Sequence, residues 1–268
     1  MSHSNAVDRA NMPAGTNRIL DQRTLQRDNQ NLLKWLKRGL SVLDVGCGSG
    51  AITKGMADMV GPAGKLTGID PSDNLISLAR SNFGATTNLH FEVANINTYA
   101  PAEKYDLISS ARVLQWLDNP QEVLARMANL LKPGGCLSIL DYNHEKIEWL
   151  PEPPATMKKF YQAFLQWRKD VGFDNAIADH LKEMFEKLEL AQIAIEERHE
   201  TTMKGEPDFQ QRASIWSEVA LHRGPQLVND GYITEEERQD AYFDYNAWVK
   251  NECQSMRMYL LATEGLKG

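Results

Sequence analysis

The segment SVLDVGCGSG followed by AITKGMADMV, residues 41–60, constrains this chain more than any other. A short β-branched run reads as a buried parallel strand. It ends at Asp44 and Val45, and glycines then recur at 46, 48 and 50 before Ile52, Met56 and Met59 take up helical spacing. Glycines let a ligand approach the backbone closely, and a helix start presents N–H groups with no partner inside the helix. The turn alone is weak, because GCGSGA also satisfies the general dinucleotide pattern. Its context makes it informative: a strand before, a helix after, and Asp70 closing the next strand, where a carboxylate can accept both ribose hydroxyls.

The alternation continues downstream. Strand-like runs at 65–69, 89–93, 105–109 and 136–140 are separated by helical patterns at 51–60, 72–81 and 120–130. The third helix carries a readable start, with Asn119 at the cap, Pro120 in the first position and Glu122 on the first turn. Alternation of this kind predicts an α/β fold with a doubly wound, mostly parallel sheet covered on both faces. After Asp141 the period breaks. A proline-rich elbow at 149–154 precedes amphipathic helices at 157–170 and 178–188, the first with Phe160, Phe164 and Trp167 on one side. A strand-like run at 193–202, helices over 208–221 and 234–248, and a closing strand at 256–262 complete the chain; Thr234 and Glu237 form a capping box. Residues 1–39 read as a polar arm, 1–16, followed by an amphipathic helical leader over 17–38. Residues 40–268 read as one domain with a helical lid insertion over about 142–192 after strand five.

Asp44 separates two readings of the glycine turn. A pyrophosphate is anionic, so a carboxylate two residues before the first glycine repels it; a cationic ligand is favoured there. The strings VLDVGCGSG, GIDPS, YDLISSARVLQWL and LLKPGGCLSIL resemble, in order and spacing, the motifs of class I S-adenosylmethionine-dependent methyltransferases of the small-molecule type. The resemblance covers about residues 40–141 and implies a Rossmann-like seven-stranded sheet, S-adenosyl-L-methionine as cofactor and in-line transfer of its methyl group. It implies that Asp44, Gly46, Cys47, Gly48 and Gly50 surround the methionine part, and that Asp70 and Pro71 hold the ribose. Asn95 and Ile96 would meet the adenine edge, although the family often has an acid where Asn95 stands. Ser110 and Ala111 would lie beside the methionine moiety. Arg112, Gln115 and Trp116 would line the substrate pocket with Tyr142, and His144 is the candidate general base. VLQWL also resembles the small-acid carboxyl methyltransferases.

Other classes are disfavoured. The formal net charge is −7, which argues against a groove that neutralises many phosphates. No Asp/Asn-Pro-Pro-aromatic run follows strand four, no Pro-Cys nucleophile occurs, and Ser109-Ser110 stand where catechol-type enzymes place a metal-binding acid. No metal and no nucleic acid are expected, and the partner is a small-molecule acceptor. Cys47, Cys136 and Cys253 are widely spaced, without a disulfide or zinc pattern. No apolar run reaches the roughly 20 residues that cross a bilayer, so a soluble, cytoplasmic protein is expected. Two rivals stay open: a non-catalytic S-adenosylmethionine-binding protein and an NAD-dependent dehydrogenase.

Overall fold

The structure, a computed structural model, describes residues 5–11 and 23–268. The expected leader residues Ile19 and Leu20 lie outside the described residues. The strands are β1 Ser41–Val45, β2 Lys65–Asp70, β3 Leu89–Val93, β4 Tyr105–Ala111, β5 Leu131–Leu150, β6 Ala191–Glu197, β7 Glu200–Met203 and β8 Ser255–Leu266. They form one sheet in the order β3-β2-β1-β4-β5-β8-β6, and β7 also pairs with β8. Pairing from β3 through β5 is parallel, whereas β8 runs antiparallel to β5, β6 and β7. β6 takes the stretch of β8 from Leu261 to Leu266 and β7 the stretch from Ser255 to Met258, so they share a seventh position. The Rossmann-like, mostly parallel seven-position sheet is as the sequence predicts.

The α-helices are α1 Ala6–Ala10, α2 Leu25–Asp28, α3 Ala51–Val60, α4 Asp73–Phe83, α5 Pro120–Asn129, α6 Ala155–Lys169, α7 Ile177–Lys187, α8 Phe209–Ala213, α9 Ile215–His222, α10 Gly224–Asn229 and α11 Glu235–Asn251. Successive strand residues point to opposite faces, and the core divides accordingly. Val42 and Leu107 join Leu25, Leu32, Met56 and Ile76 on one face. Their neighbours Leu43 and Ile108 join Leu124, Met127, Ile177, Leu181 and Phe185 on the other. Strand order reverses between β1 and β4, which opens a crevice beyond their carboxyl ends.

A third core sits above that crevice. Phe160, Phe164, Trp167, Trp216, Tyr245 and Trp248 pack with Tyr142, Met256, Met258 and Leu260. The aromatic side of α6 is therefore buried core, and replacing any one of its large aromatics by alanine costs about 3–5 kcal/mol.

The interval 142–192 differs from its sequence reading as one helical insertion. Its first nine residues continue β5, because β8 pairs with that strand from Cys136 to Asn143 and again from Glu148 to Leu150. Then α6 joins the upper core while α7 covers a sheet face, with Ile177, Leu181 and Phe185 all fully buried. The expected polar arm over 1–16 also differs where it is described. Residues 5–10 hold a capping box between Asn5 and Asp8, and Arg9 is only 1% exposed. Arg9 pairs with Asp230 at 3.2 Å and lies 4.8 Å from the Trp167 ring centroid, so α1 is docked on the upper core.

Candidate active site

The glycine turn is built from the end of β1. The amides of Gly46 and Cys47 both donate to the Ile69 carbonyl, at 2.8 and 3.1 Å, which ties the turn to the end of β2. Gly50 begins α3 with φ +82° and no side-chain cap. A β-carbon there would stand 2.5 Å from the Phe91 ring, and one on Gly46 would stand 2.3 Å from a Val113 methyl. The turn thus needs glycine for close packing as well as for its left-handed backbone. Cys47 is half-buried, and burial pushes its thiol pKa well up, which keeps it protonated.

Two carboxylates face this turn. Asp70 accepts from the Gly48 amide at 3.1 Å and the Ser72 amide at 2.9 Å, one bond to each oxygen. Asp44 accepts from the Thr53 hydroxyl at 2.7 Å. Burial pushes the Asp44 pKa up to about 6, with the Asp70 charge adding to the rise. Buried acids in this state favour a bound cation, because a nearby positive charge restores the ionised form. The arrangement suits the ammonium and sulfonium of S-adenosylmethionine and is hostile to a pyrophosphate.

The remaining donor-side candidates divide. Ser110 donates to the Val45 carbonyl at 2.9 Å, so its hydroxyl joins the ends of β4 and β1. Ala111 ends β4 and is half-buried, and Pro71 is exposed beyond β2. Asn95 is exposed, and its side chain accepts from the Asn97 amide at 2.9 Å while its carbonyl accepts from Thr98 and Tyr99. That is a local turn formed by a short amide side chain. None of these bonds uses the amide of Ile96, whose side chain is buried.

Past β4 the chain turns sharply at Arg112, which has φ +62° and is buried. Val113 packs on Gly46, so the two sides of the site meet there. Arg112 donates to the Tyr142 hydroxyl at 3.0 Å, to the Asp28 carbonyl at 2.8 Å, and to Glu200. Glu200 also accepts from the Tyr142 hydroxyl at 3.2 Å. Burial works against the Arg112 charge, but Glu200 and Tyr142 outweigh it and raise its pKa. Burial pushes the Tyr142 phenol up to about 12, so it stays protonated.

Gln115 links the candidates beneath. Its backbone amide donates to Asp141 at 3.2 Å, its side-chain amide donates to the Arg112 carbonyl at 3.1 Å, and its Oε1 lies 2.6 Å from His144 Nε2. With Nε2–H donating to that oxygen, the free lone pair of the imidazole lies on Nδ1, which is buried without a partner. Burial first and the Arg168 cation second hold the His144 pKa well below its usual value. Asp141 is wholly buried, with its pKa pushed up to about 6 by burial. Trp116 is sandwiched between the Arg168 and Arg223 guanidiniums, at 4.5 and 4.4 Å from its ring centroid. These stacks are worth roughly 0.5–2 kcal/mol each and join the tip of β4 to the upper core.

The sequence reading missed Arg23, Arg168, Glu200, Trp216 and Arg223. Each approaches residues 110–144 from a distant part of the chain, and no local spacing marks any of them. Arg23 and Glu200 face a cavity of about 460 Å³ whose other walls include Asp28, Ile215, Met256 and Met258.

The comparisons with known proteins agree with this architecture. The methyltransferase domain family matches residues 36–201. Among curated relatives, the chain is 29% identical over 133 residues to malonyl-[acyl-carrier protein] O-methyltransferase 1 of Ilyobacter polytropus, covering 48% of this chain and 49% of that protein. It is 32% identical over 164 residues to trans-aconitate 2-methyltransferase of Variovorax paradoxus, covering 60% of this chain and 59% of that one. The matched part thus spans about half the length of these relatives. Among solved structures, phosphoethanolamine N-methyltransferase 2 of Haemonchus contortus aligns with a TM-score of 0.56 at 16% identity, over 96% of this chain and 53% of that one. An S-adenosylmethionine-dependent methyltransferase of Aquifex aeolicus aligns with a TM-score of 0.55 at 18% identity, over 96% and 98%. These two likenesses concern the fold. With the family matched over well more than half of its residues, the chain belongs to the methyltransferase domain family.

Proposed function

We propose that the protein is an S-adenosylmethionine-dependent methyltransferase acting on a small-molecule acceptor. The observation that carries this reading is the pair of buried acids, Asp44 and Asp70, on a glycine turn between a parallel strand and a helix. Asp44 would hold the methionine ammonium, the glycine turn would let the methionine chain lie close to the backbone, and Asp70 would hold the ribose. When bound, the cofactor supplies a methyl group on a sulfonium, an electrophile that is already activated.

The protein's part is then alignment and exclusion of water. Val113 and the Arg112 turn fix the tip of β4 against the glycine turn, while Tyr142 and Met258 form one wall of the acceptor side. The cover, α6 with α8–α11, acts as the lid of the reaction chamber in this reading, and α1 clasps it through Arg9. His144 Nδ1 is the candidate proton acceptor for an acceptor group that must lose a proton. Its depressed basicity limits that role, and an acceptor already ionised needs no base.

The names of relatives support a small acid or thioester-linked acid among the acceptors to be tried first, since both curated relatives described above are named for acyl or polycarboxylate substrates. The test is incubation with methyl-labelled S-adenosylmethionine and a panel of small acids, amines and phenols, read by mass spectrometry. Methyl transfer to a panel member, with S-adenosylhomocysteine formed in equal amount, is expected. Tight S-adenosylhomocysteine binding without transfer to any acceptor favours a non-catalytic binding protein. Preferential NAD binding sinks the reading outright.

A further inference from the structure

Arg168, near the end of α6, is sealed from solvent, and its guanidinium reaches two other segments at once. Its Nη2 donates to the Gln115 carbonyl at 2.8 Å and its Nε to the Asn175 Oδ1 at 2.7 Å. The Asn175 carbonyl accepts from the His144 amide at 2.7 Å, and His144 Nε2 lies 2.6 Å from the Gln115 Oε1. Arg168, Asn175, His144 and Gln115 therefore form a closed ring of hydrogen bonds. It joins α6, the connection into α7, β5 and the turn after β4. The flat face of the same guanidinium stacks on Trp116, 4.5 Å from the ring centroid. The Gln115 amide cannot flip, because its Nε2 donates to the Arg112 carbonyl, which only accepts. Its Oε1 thus faces the imidazole and also only accepts, so the proton of the neutral His144 ring sits on Nε2.

We propose that Arg168 is a positioning residue for the acceptor side: it holds Gln115 and Trp116 beyond the tip of β4 and, through the ring, keeps the His144 imidazole in its Nε2–H form. This rests on the reading of that end of the sheet as the acceptor side. Burying a guanidinium is costly, and an apolar side chain of similar volume would fill the space beside Trp116 and Phe164 without that penalty. Direction is what the arginine adds. Its planar fork sets two N–H bonds at a fixed angle, and these locate a backbone carbonyl and a side-chain oxygen from different segments. A lysine ammonium on its flexible stem does not do this. Misplacing such a wall by about 1 Å is enough to cost roughly 100-fold in rate, so Arg168 acts on alignment through its neighbours. No member of the ring belongs to the glycine turn or to the end of β2, so donor binding is independent of it.

The test follows the His144 ring nitrogens by NMR at neutral pH, in the full chain carrying isotope-labelled histidine and saturated with S-adenosylhomocysteine. Loss of the signal in His144→Gln identifies it. The wild type should show one neutral tautomer, protonated on Nε2. Gln115→Leu removes the acceptor of that proton and should mix in the Nδ1–H form. Arg168→Lys, which keeps the charge and loses the fork, should do the same while the S-adenosylhomocysteine Kd stays within about twofold. Asn175→Ala loses one bond to Arg168 and one to the Leu165 carbonyl, and should give a smaller share of that form. A side chain that only filled space would lower thermal stability when replaced and leave the tautomer untouched. The Nε2–H form kept by Gln115→Leu, or by Arg168→Lys when it folds and by Asn175→Ala when it does not, overturns the proposal. So does an Nδ1–H form in the wild type. With any acceptor that the wild type methylates, Arg168→Lys should lower kcat by roughly tenfold or more, and an unchanged kcat also overturns it. Failure of the function reading looks different: the tautomer responds as expected, yet the wild type transfers no methyl to any acceptor.

Discussion

The two halves of the site are made in opposite ways. The donor half comes from neighbouring pieces of chain, β1, the glycine turn, α3 and the end of β2, and its charge is negative through Asp44 and Asp70. The half proposed to take the acceptor is assembled from residues 23, 112, 142, 200 and 256, and there Arg112 is paired with Glu200. Local pieces carry a fixed chemistry from one relative to another, because strand, turn and helix fold as one unit. A surface collected from five separate segments can change its ligand by changing any one of them. On this reading the donor half is set by one folding unit and the acceptor half by the packing of several.

The sharpest way to break this division is Asp70→Ala. Hydrogen bonds to a charged group contribute on the order of 1.5–3 kcal/mol each, so affinity for S-adenosylhomocysteine should fall about 100-fold or more by calorimetry. An Asp70→Ala affinity within threefold of wild type would show that the halves are drawn in the wrong place.

Next comes pH. The free Asp44 carboxyl is pushed up to about 6, and it must be ionised to hold a cation. Below about pH 6 protons compete, and affinity for S-adenosylhomocysteine should fall by up to roughly tenfold per pH unit. Above that value it should level off, and Asp44→Asn should flatten the slope. The free protein has the opposite sign. A folded-state pKa above the unfolded one means the folded chain binds more protons between the ordinary carboxylate range and pH 6. Stability from Asp44 and Asp141 therefore declines as pH rises through that window.

The acceptor half gives a smaller, pairwise signal. A double-mutant cycle on Arg112→Met and Glu200→Gln, read by thermal unfolding, should give a coupling energy on the order of 1–2 kcal/mol. Coupling near zero would mean that the buried pair does not organise the wall it lines. The smallest effect is expected at His144. With its pKa depressed by burial and Arg168, the imidazole stays neutral through the physiological range, and His144→Gln should lose less than tenfold in kcat. A thousandfold loss with a flattened pH profile would make the imidazole a true base.

Legibility followed the same division. The glycine turn, Asp70, the Pro120 helix start and the Thr234–Glu237 capping box were readable because each is a short-range pattern with one physical cause. The aromatic side of α6 was readable as one apolar stripe, though not what it packs against. Residues 142–150 gave no strand signal because their order depends on β8, more than a hundred residues later. Asn95 was placed at the adenine edge by resemblance, and the structure gives it the bonds of a turn. Arg23 and Glu200 carry no marker at all; a lone arginine and a lone glutamate in polar stretches look like surface. Only the fold brings them beside Arg112 and Tyr142.

The docking of α1 has a consequence for how the molecule is made. Arg9 lies against Trp167 and pairs with Asp230, and Arg223 donates to its carbonyl at 2.5 Å. Translation emits residues in order, at about 5–20 per second. The segment bearing Arg9 therefore leaves the ribosome roughly ten to forty seconds before the residues that form its seat. Through that interval the glycine turn and the first parallel strands can already pair. α1 thus takes its place only after a seat made 158 or more residues downstream has formed.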